Sequence, residues 1–226
     1  MKHIDFEVNT GEINMQIDSD LLDFAIKNRI HEPKFRLYAW APACVSLGRN
    51  QDEAFLDKEF LKSQNIDLVR RLTGGRALLH DKELTYSYIC PISSLENGES
   101  VINSYKEISQ ILIEGFKKLE IDLEFGAKCP HTKFDYCMSI STGADLCYRG
   151  KKFIGSAQFR KEGYILQHGS ILIDYDKSLI EELFNEKVDE SALTCLKEIN
   201  SQISIEDVKN ALISAYYDSI KPKMFS

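Results

Sequence analysis

The run Arg70-Arg71-Leu72-Thr73-Gly74-Gly75-Arg76-Ala77-Leu78-Leu79-His80-Asp81 constrains this chain more than any other stretch. Asp67 to Arg71 reads as a strand entering it, and Leu84 to Ile89 alternates as a strand leaving it. Gly74 and Gly75 lack Cβ, so the backbone between the strands turns sharply and lets a ligand approach closely. Arg70, Arg71 and Arg76 offer forked donors for a carboxylate or phosphate. Alone, the run also fits a plain Gly-Gly turn with a solvated basic edge, so it needs support from elsewhere.

The rest of the chain supplies alternating strands and segregated helices. Residues 17–30 place acids early and basic residues late around Leu21, Leu22 and Phe24, which suits a helix and its macrodipole. Phe35 to Trp40 alternates as a strand, Pro42 breaks it, and Ala43 to Leu47 resumes. Phe55 to Gln64 reads as a helix. Ser104 to Leu119 is the clearest amphipathic helix. Ile121 to Phe125 reads as a strand and Lys128 to Thr142 as a loop. Asp145–Arg149 and Phe153–Phe159 predict a hairpin joined at Gly150-Lys151. Tyr164 to Asp174 predicts a strand interrupted near His168-Gly169. Ser178–Phe184 and Ile205–Tyr217 close the chain as helices. The pattern predicts an α+β fold, a mixed or antiparallel sheet with helices packed on one side. The 226 residues are expected to form one domain, 1–226, with no separate accessory domain.

Composition narrows the partners. A net charge of −7 argues against a general nucleic-acid binder. No apolar run is long enough to span a bilayer. The N-terminus lacks the apolar core of a signal peptide, so a cytoplasmic protein is expected. The six cysteines are irregularly spaced and read as free thiols. A zinc site from Cys129, His131, Cys137 and Cys147 lacks any Cys-x-x-Cys pair, so no metal is expected. Between Lys128 and Lys161 seven basic residues face only Asp135 and Asp145, leaving that segment at +5. It reads either as a solvated face or as a surface for an acidic partner.

Taken together, Arg-Arg-x-Thr-Gly-Gly-Arg-Ala-x-x-His-Asp-x-Glu-Leu-Thr-Tyr-Ser resembles the signature of the biotin/lipoate protein ligase superfamily, most closely its LipM-type octanoyltransferase branch. Gly150-Lys151-Lys152-Phe153-Ile154-Gly155-Ser156-Ala157-Gln158 and Leu166-Gln167-His168-Gly169-Ser170 agree, as does a weaker block of Asn14, Met15 and Asp18. The blocks span about residues 5 to 175 in the expected order.

This resemblance implies a biotin/lipoate ligase-like fold and transfer of octanoyl from acyl carrier protein to a lysine of a lipoyl domain or glycine cleavage H protein. It implies no cofactor. Cys137 falls at the spacing of the branch's nucleophile, which carries the acyl group as a thioester. Met138 and Ser139 follow it where the branch tends to carry an aromatic residue and an acid. Lys152 matches the superfamily's lysine; near the scissile carbonyl an ammonium stabilises the oxyanion. Lys151, its strand neighbour, should face away. Arg71, Thr73, Gly74, Gly75, Arg76, His80, Gly155, Ser156, Ala157, His168 and Gly169 are implied to line the acyl site.

Four other readings stand beside transfer through Cys137. An ATP-dependent lipoate ligase would more often show Gly-Gly-Gly and then His-Asp-x-Gly-Asn; here Arg76 replaces a glycine, and Glu83-Leu84 replaces Gly-Asn. A LipB-type transferase would need a cysteine after the His168-Gly169 block, and 184–187 holds none. An octanoyl amidotransferase acting between lipoyl proteins would use the same parts. A non-catalytic acyl-binding relative would not need both Cys137 and Lys152.

Overall fold

Hydrophobic alternation and paired glycine turns build a seven-stranded mixed sheet in this computed structural model, which describes residues 3–126, 136, 138, 143 and 145–221. In chain order the elements begin with β1 (Ile4–Asn9), α1 (Gly11–Lys27), β2 (Lys34–Trp40), β3 (Cys44–Leu47), α2 (Lys58–Ser63), β4 (Asp67–Arg70), β5 (Leu78–His80) and β6 (Glu83–Pro91). Then follow α3 (Val101–Lys117), β7 (Glu124–Phe125), β8 (Leu146–Tyr148), β9 (Lys151–Lys161), β10 (Tyr164–Leu172), α4 (Lys177–Phe184), α5 (Leu196–Ile199) and α6 (Ile205–Ile220). The large sheet runs β1-β2-β6-β10-β9-β8-β7, and a three-stranded sheet runs β4-β3-β5. In the large sheet β1 pairs parallel with β2, and the other pairs are antiparallel.

Two tight turns organise one end of the large sheet. Arg149 and Gly150 both adopt positive φ, as do Glu162 and Gly163. Two positive-φ residues in a row define the turn whose twist matches a β-hairpin, so β8, β9 and β10 follow one another as a meander.

One face of the sheet receives α3 and α6. Ile108, Ile111, Leu112 and Phe116 of α3 meet Leu84, Tyr86, Tyr88, Ile165 and Ile171, joined by Val208, Leu212 and Tyr216 of α6. Each such side chain, fully buried, contributes about 1.5–3 kcal/mol. The other face is also covered. Leu22 and Ala25 of α1 pack on Ile89 and Leu166. This second cover brings the odd-numbered side chains of β6 and the even-numbered ones of β10 into the interior, where the polar residues described below converge.

Several elements differ from the sequence reading. The first helix starts at Gly11, because Thr10 caps it by accepting a hydrogen bond from the Ile13 N–H. β1, β5 and α5 are too short or too polar to show a period. β10 runs without interruption: His168 and Gly169 stay in register with Ser87 and Tyr86 on one side and Ala157 and Ser156 on the other. Pairing on both edges holds the strand straight through its glycine. The expected strand at 121–125 shrinks to β7, with Ile121 and Leu123 used as core instead.

Candidate active site

The glycine turn between β4 and β5 is held by Arg71. Its Nε donates to Thr73 Oγ1 at 3.1 Å, its Nη1 to Ser46 O and Oγ at 2.9 and 3.1 Å, and its Nη2 to the carbonyls of Gly74 and Arg76 at 2.9 and 2.7 Å. All five guanidinium N–H groups thus meet protein acceptors. Arg71 is buried and staples the turn to β3. Arg70 points the other way, donating to Gly48 O and Gln51 O. Of the two glycines only Gly75 needs the left-handed region, at φ +96°. A Cβ on Gly74 would meet nothing within 4 Å.

Gly48 is the tightest contact to this turn. A Cβ there would fall 1.9 Å from the Gly75 carbonyl oxygen. Gly48→Ala is therefore expected to push the turn off β3 and destabilise the protein by about 1–3 kcal/mol or more, the usual range for overpacking. Thermal unfolding checks this; an unchanged midpoint would contradict the contact.

From Arg71 two hydrogen-bonded arms run inward. In the first, Thr73 Oγ1 meets His168 Nε2 at 2.7 Å, and His168 Nδ1 faces Asp18 Oδ2 at 3.6 Å. Asp18 is buried and also accepts from Arg36 Nη1, Tyr38 OH and Ser87 Oγ at 3.1, 2.8 and 2.9 Å. Burial works against the charged Asp18, yet His168, Arg36 and Tyr38 outweigh it and hold its carboxyl below the ordinary range. Arg36 itself reaches Asn14 Oδ1 at 2.7 Å. In the second arm Ser46 Oγ meets His80 Nε2 at 2.8 Å, and His80 Nδ1 faces Glu83 Oε1 at 3.4 Å. Burial is the main cause that lowers the His80 pKa, against the opposing pull of Glu83.

Below the ordinary histidine value of 6.5 the unfolded chain takes up a proton at His80 that the folded chain resists. The stability His80 contributes is therefore complete above that pH and is lost as pH falls through and below it. Unfolding midpoints should decline from about pH 6.5 downward, and His80→Gln should flatten that part of the curve. Parallel curves for the two proteins would contradict it.

Between the arms lies a narrow cavity of about 60 Å³, several times the roughly 10–15 Å³ that one water occupies. Arg71, Gly75, His80, Gly155, Ser156, Ala157, His168 and Gly169 line it. Thr73 stands one bond behind His168, while Gly74 and Arg76 contribute carbonyls to Arg71. Met15, Tyr38, Trp40, Ser46, Leu78, Thr85, Met138 and Ser170 complete the lining, and the sequence reading did not name them as site residues. Trp40 stacks on His80 with ring centres 3.9 Å apart. A far larger open groove, about 1220 Å³, lies between α3 and α6; its polar rim includes Glu32, Glu107, Glu114 and Lys118, with none of the converging residues of the glycine turn.

Lys152 comes to this cavity from β9. It is 1 % exposed, and its Nζ lies 3.1 Å from Asp145 Oδ2. A Cβ added to Gly155 would stand 3.5 Å from Lys152 Nζ and 2.9 Å from Met138 Sδ, so the ammonium sits beside the cavity wall. Asp145, its ion-pair partner, also accepts from the Ser156 N–H at 3.3 Å. Lys151 turns outward and donates to Glu190 O. Cys137 lies outside the described residues. Its neighbours are buried: Tyr136 bridges to Ala77 and stacks on Phe184, and Met138 lines the cavity. Cys147 is buried, paired across the strands with Lys152.

Among the described residues no three histidine, cysteine or acidic side chains gather as a metal site, and no helix is long and apolar enough to cross a membrane. The basic segment is less available than its charge implies. Lys152 is buried, Lys161 pairs with Asp23, and Arg160 is spent on the carbonyls of Gly98 and Glu99. Arg149 remains exposed over the Tyr148 ring.

A mixed sheet covered on both faces carries a stapled glycine turn over a narrow cavity, with a buried lysine beside it. Residues 10–217 match the lipoyl protein ligase A/B catalytic domain, and the chain belongs to that family. It is 42 % identical over 193 residues to octanoyltransferase LipM of Staphylococcus aureus, covering 79 % of this chain and 68 % of that protein. To LipM of Staphylococcus epidermidis it is 39 % identical over 224 residues, covering 92 % and 80 %. Among solved structures, a lipoate-protein ligase A bound with ATP superposes with a TM-score of 0.73 at 22 % identity, covering 96 % of this chain and 85 % of the other. A bipartite lipoate protein ligase studied with its E2 lipoyl domain, from Thermoplasma acidophilum, gives 0.68 at 20 % identity, covering 96 % and 84 %. At those identities the structures share the fold.

Proposed function

We propose that the protein is an octanoyltransferase of lipoate assembly, taking octanoyl from acyl carrier protein and passing it to a lysine of a lipoyl domain or of the glycine cleavage H protein. In this reading the Cys137 thiolate attacks the thioester carbonyl of the donor, the carrier's thiolate leaves, and the acyl group rests on Cys137. The neutral amine of the acceptor lysine then attacks, and the Cys137 sulfur leaves, taking up the proton that the amine gives up. Both steps build negative charge on the carbonyl oxygen, and Lys152 stands beside Gly155 to meet it. The cavity of Trp40, His80, Leu78 and Met15 takes the acyl chain.

One observation favours transfer over ATP-dependent ligation. A ligase must hold a free carboxylate and then a phosphate, each of which calls for an unspent cationic donor. Among the described residues the cations beside this cavity are engaged, Arg71 with the turn and Lys152 with Asp145. A thioester binds as a neutral group and calls on Lys152 only for the charge that develops during attack. The test is transfer from octanoyl-acyl carrier protein to a lipoyl domain without ATP. Transfer supports the reading; ATP-dependent use of free octanoate or lipoate, with no transfer, overturns it.

Carrier proteins and lipoyl domains are generally acidic, so charge steers them to the site. Exposed pairs are screened over about 8 Å at physiological ionic strength, and steering fades with added salt. The Michaelis constant for the protein substrates should rise with salt, and Arg149→Glu should raise it more than it lowers turnover. A salt-insensitive constant, unchanged in that variant, would leave the basic segment as a solvated face.

A further inference from the structure

Glu83 is a buried carboxyl, its side chain 1 % exposed, on which two hydrogen-bonded chains end. His80 presents Nδ1 to its Oε1 at 3.4 Å. Trp40 Nε1 donates to Thr85 Oγ1 at 2.8 Å, which leaves the Thr85 hydroxyl to donate to the same Oε1 at 2.6 Å. The two rings tied in this way stack on each other, 3.9 Å apart and 18° from parallel, and both line the cavity. Glu83 itself does not line it.

The proton order in the His80 chain follows from its donors. Arg71 Nη1 can only donate, so Ser46 Oγ accepts from it. The Ser46 proton is then free for His80 Nε2, and neutral His80 carries its own proton on Nδ1, toward Glu83. Both ring nitrogens are held, and the imidazole cannot turn over. The other oxygen of Glu83, Oε2, is buried without a hydrogen-bond partner among the described residues. Burying it so costs stability. A residue kept only for packing here would be apolar.

We propose that Glu83 is a positioning residue for the acyl cavity: it fixes the tautomer of His80 and the stacked His80–Trp40 wall against which the acyl chain of the substrate lies. The role rests on the acyl-transfer reading above. It also gives a use to the position where the sequence departs from the Gly-Asn of the ligase pattern.

Two substitutions test it. Glu83→Gln keeps an acceptor oxygen for Thr85 and His80; Glu83→Leu keeps the bulk and removes both acceptors. The imidazole nitrogens of His80, read by ¹⁵N NMR without substrate, should show a single Nδ1–H tautomer in the wild type and in Glu83→Gln, and a mixture in Glu83→Leu. With octanoyl-acyl carrier protein, Glu83→Leu should raise the Michaelis constant about tenfold while turnover changes less than about threefold, a loss of binding rather than of chemistry. Glu83→Gln should stay within about threefold of the wild type in both. The proposal fails if Glu83→Leu keeps a single tautomer and a wild-type Michaelis constant. It fails equally if both variants lose turnover and folded fraction together. Should the wild type transfer no octanoyl at all, the tautomer spectra still report on Glu83, so the two readings fall separately.

Discussion

Lys152→Ala is expected to cut octanoyl transfer about 10²- to 10³-fold, the usual loss when a preorganised stabiliser of an oxyanion is removed. It should also destabilise the fold. Lys152 and Asp145 form an ion pair with both side chains nearly inaccessible, at 2 % and 3 % exposure. Removing one member of such a pair leaves the other charge buried and typically costs about 3–5 kcal/mol. The two effects separate in a second variant. Lys152→Met combined with Asp145→Asn removes both charges and keeps the volume, so the unfolding midpoint should return toward the wild type while transfer stays low. Lys151→Ala should be near wild type in both, since its ammonium only caps the Glu190 carbonyl at the surface. Equal, mild losses at 151 and 152, or recovery of activity in the uncharged double variant, would remove Lys152 from the chemistry.

Cys137→Ala is expected to abolish transfer and leave the unfolding midpoint close to the wild type. Without the sulfur there is no thioester, and the donor's activation has nowhere to be stored between the two half-reactions. Cys147→Ala serves as the control. Cys147 is buried in β8, so its loss should lower stability and spare turnover. The reverse pattern, with Cys147 essential and Cys137 dispensable, would contradict the assignment.

The parts of the site that were legible beforehand lie in continuous strings. Arg71 to His80, Gly155 to Ala157 and His168-Gly169 stand close together because each string occupies one turn or one strand, and those strands are neighbours or face the turn. What escaped the reading comes from elements that look like plain core. Tyr38 and Trp40 belong to β2 and share one side of it with Arg36. A polar side chain in an alternating strand faces water only where the sheet is covered on one side. Here α1 covers the second face, so Arg36 is 1 % exposed and meets Asp18 in the interior. Asp18 and Asn14 were visible only as a faint block, since nothing in a helix's own period tells which polar position will find a buried arginine. The charge of the 128–161 segment was legible only as a sum. A count of basic residues cannot show that Arg160 is consumed by backbone carbonyls or Lys152 by Asp145.

The central claim is that the acyl group passes through Cys137, and intact-mass analysis after incubation with octanoyl-acyl carrier protein tests it most directly. With no ATP and no acceptor present, the wild-type protein should gain the mass of one octanoyl group. Hydroxylamine should remove it, a lipoyl domain should discharge it, and Cys137→Ala should never acquire it. A wild-type protein that stays unmodified while transferring octanoyl at full rate, or an adduct of the same stoichiometry on Cys137→Ala, would contradict the account.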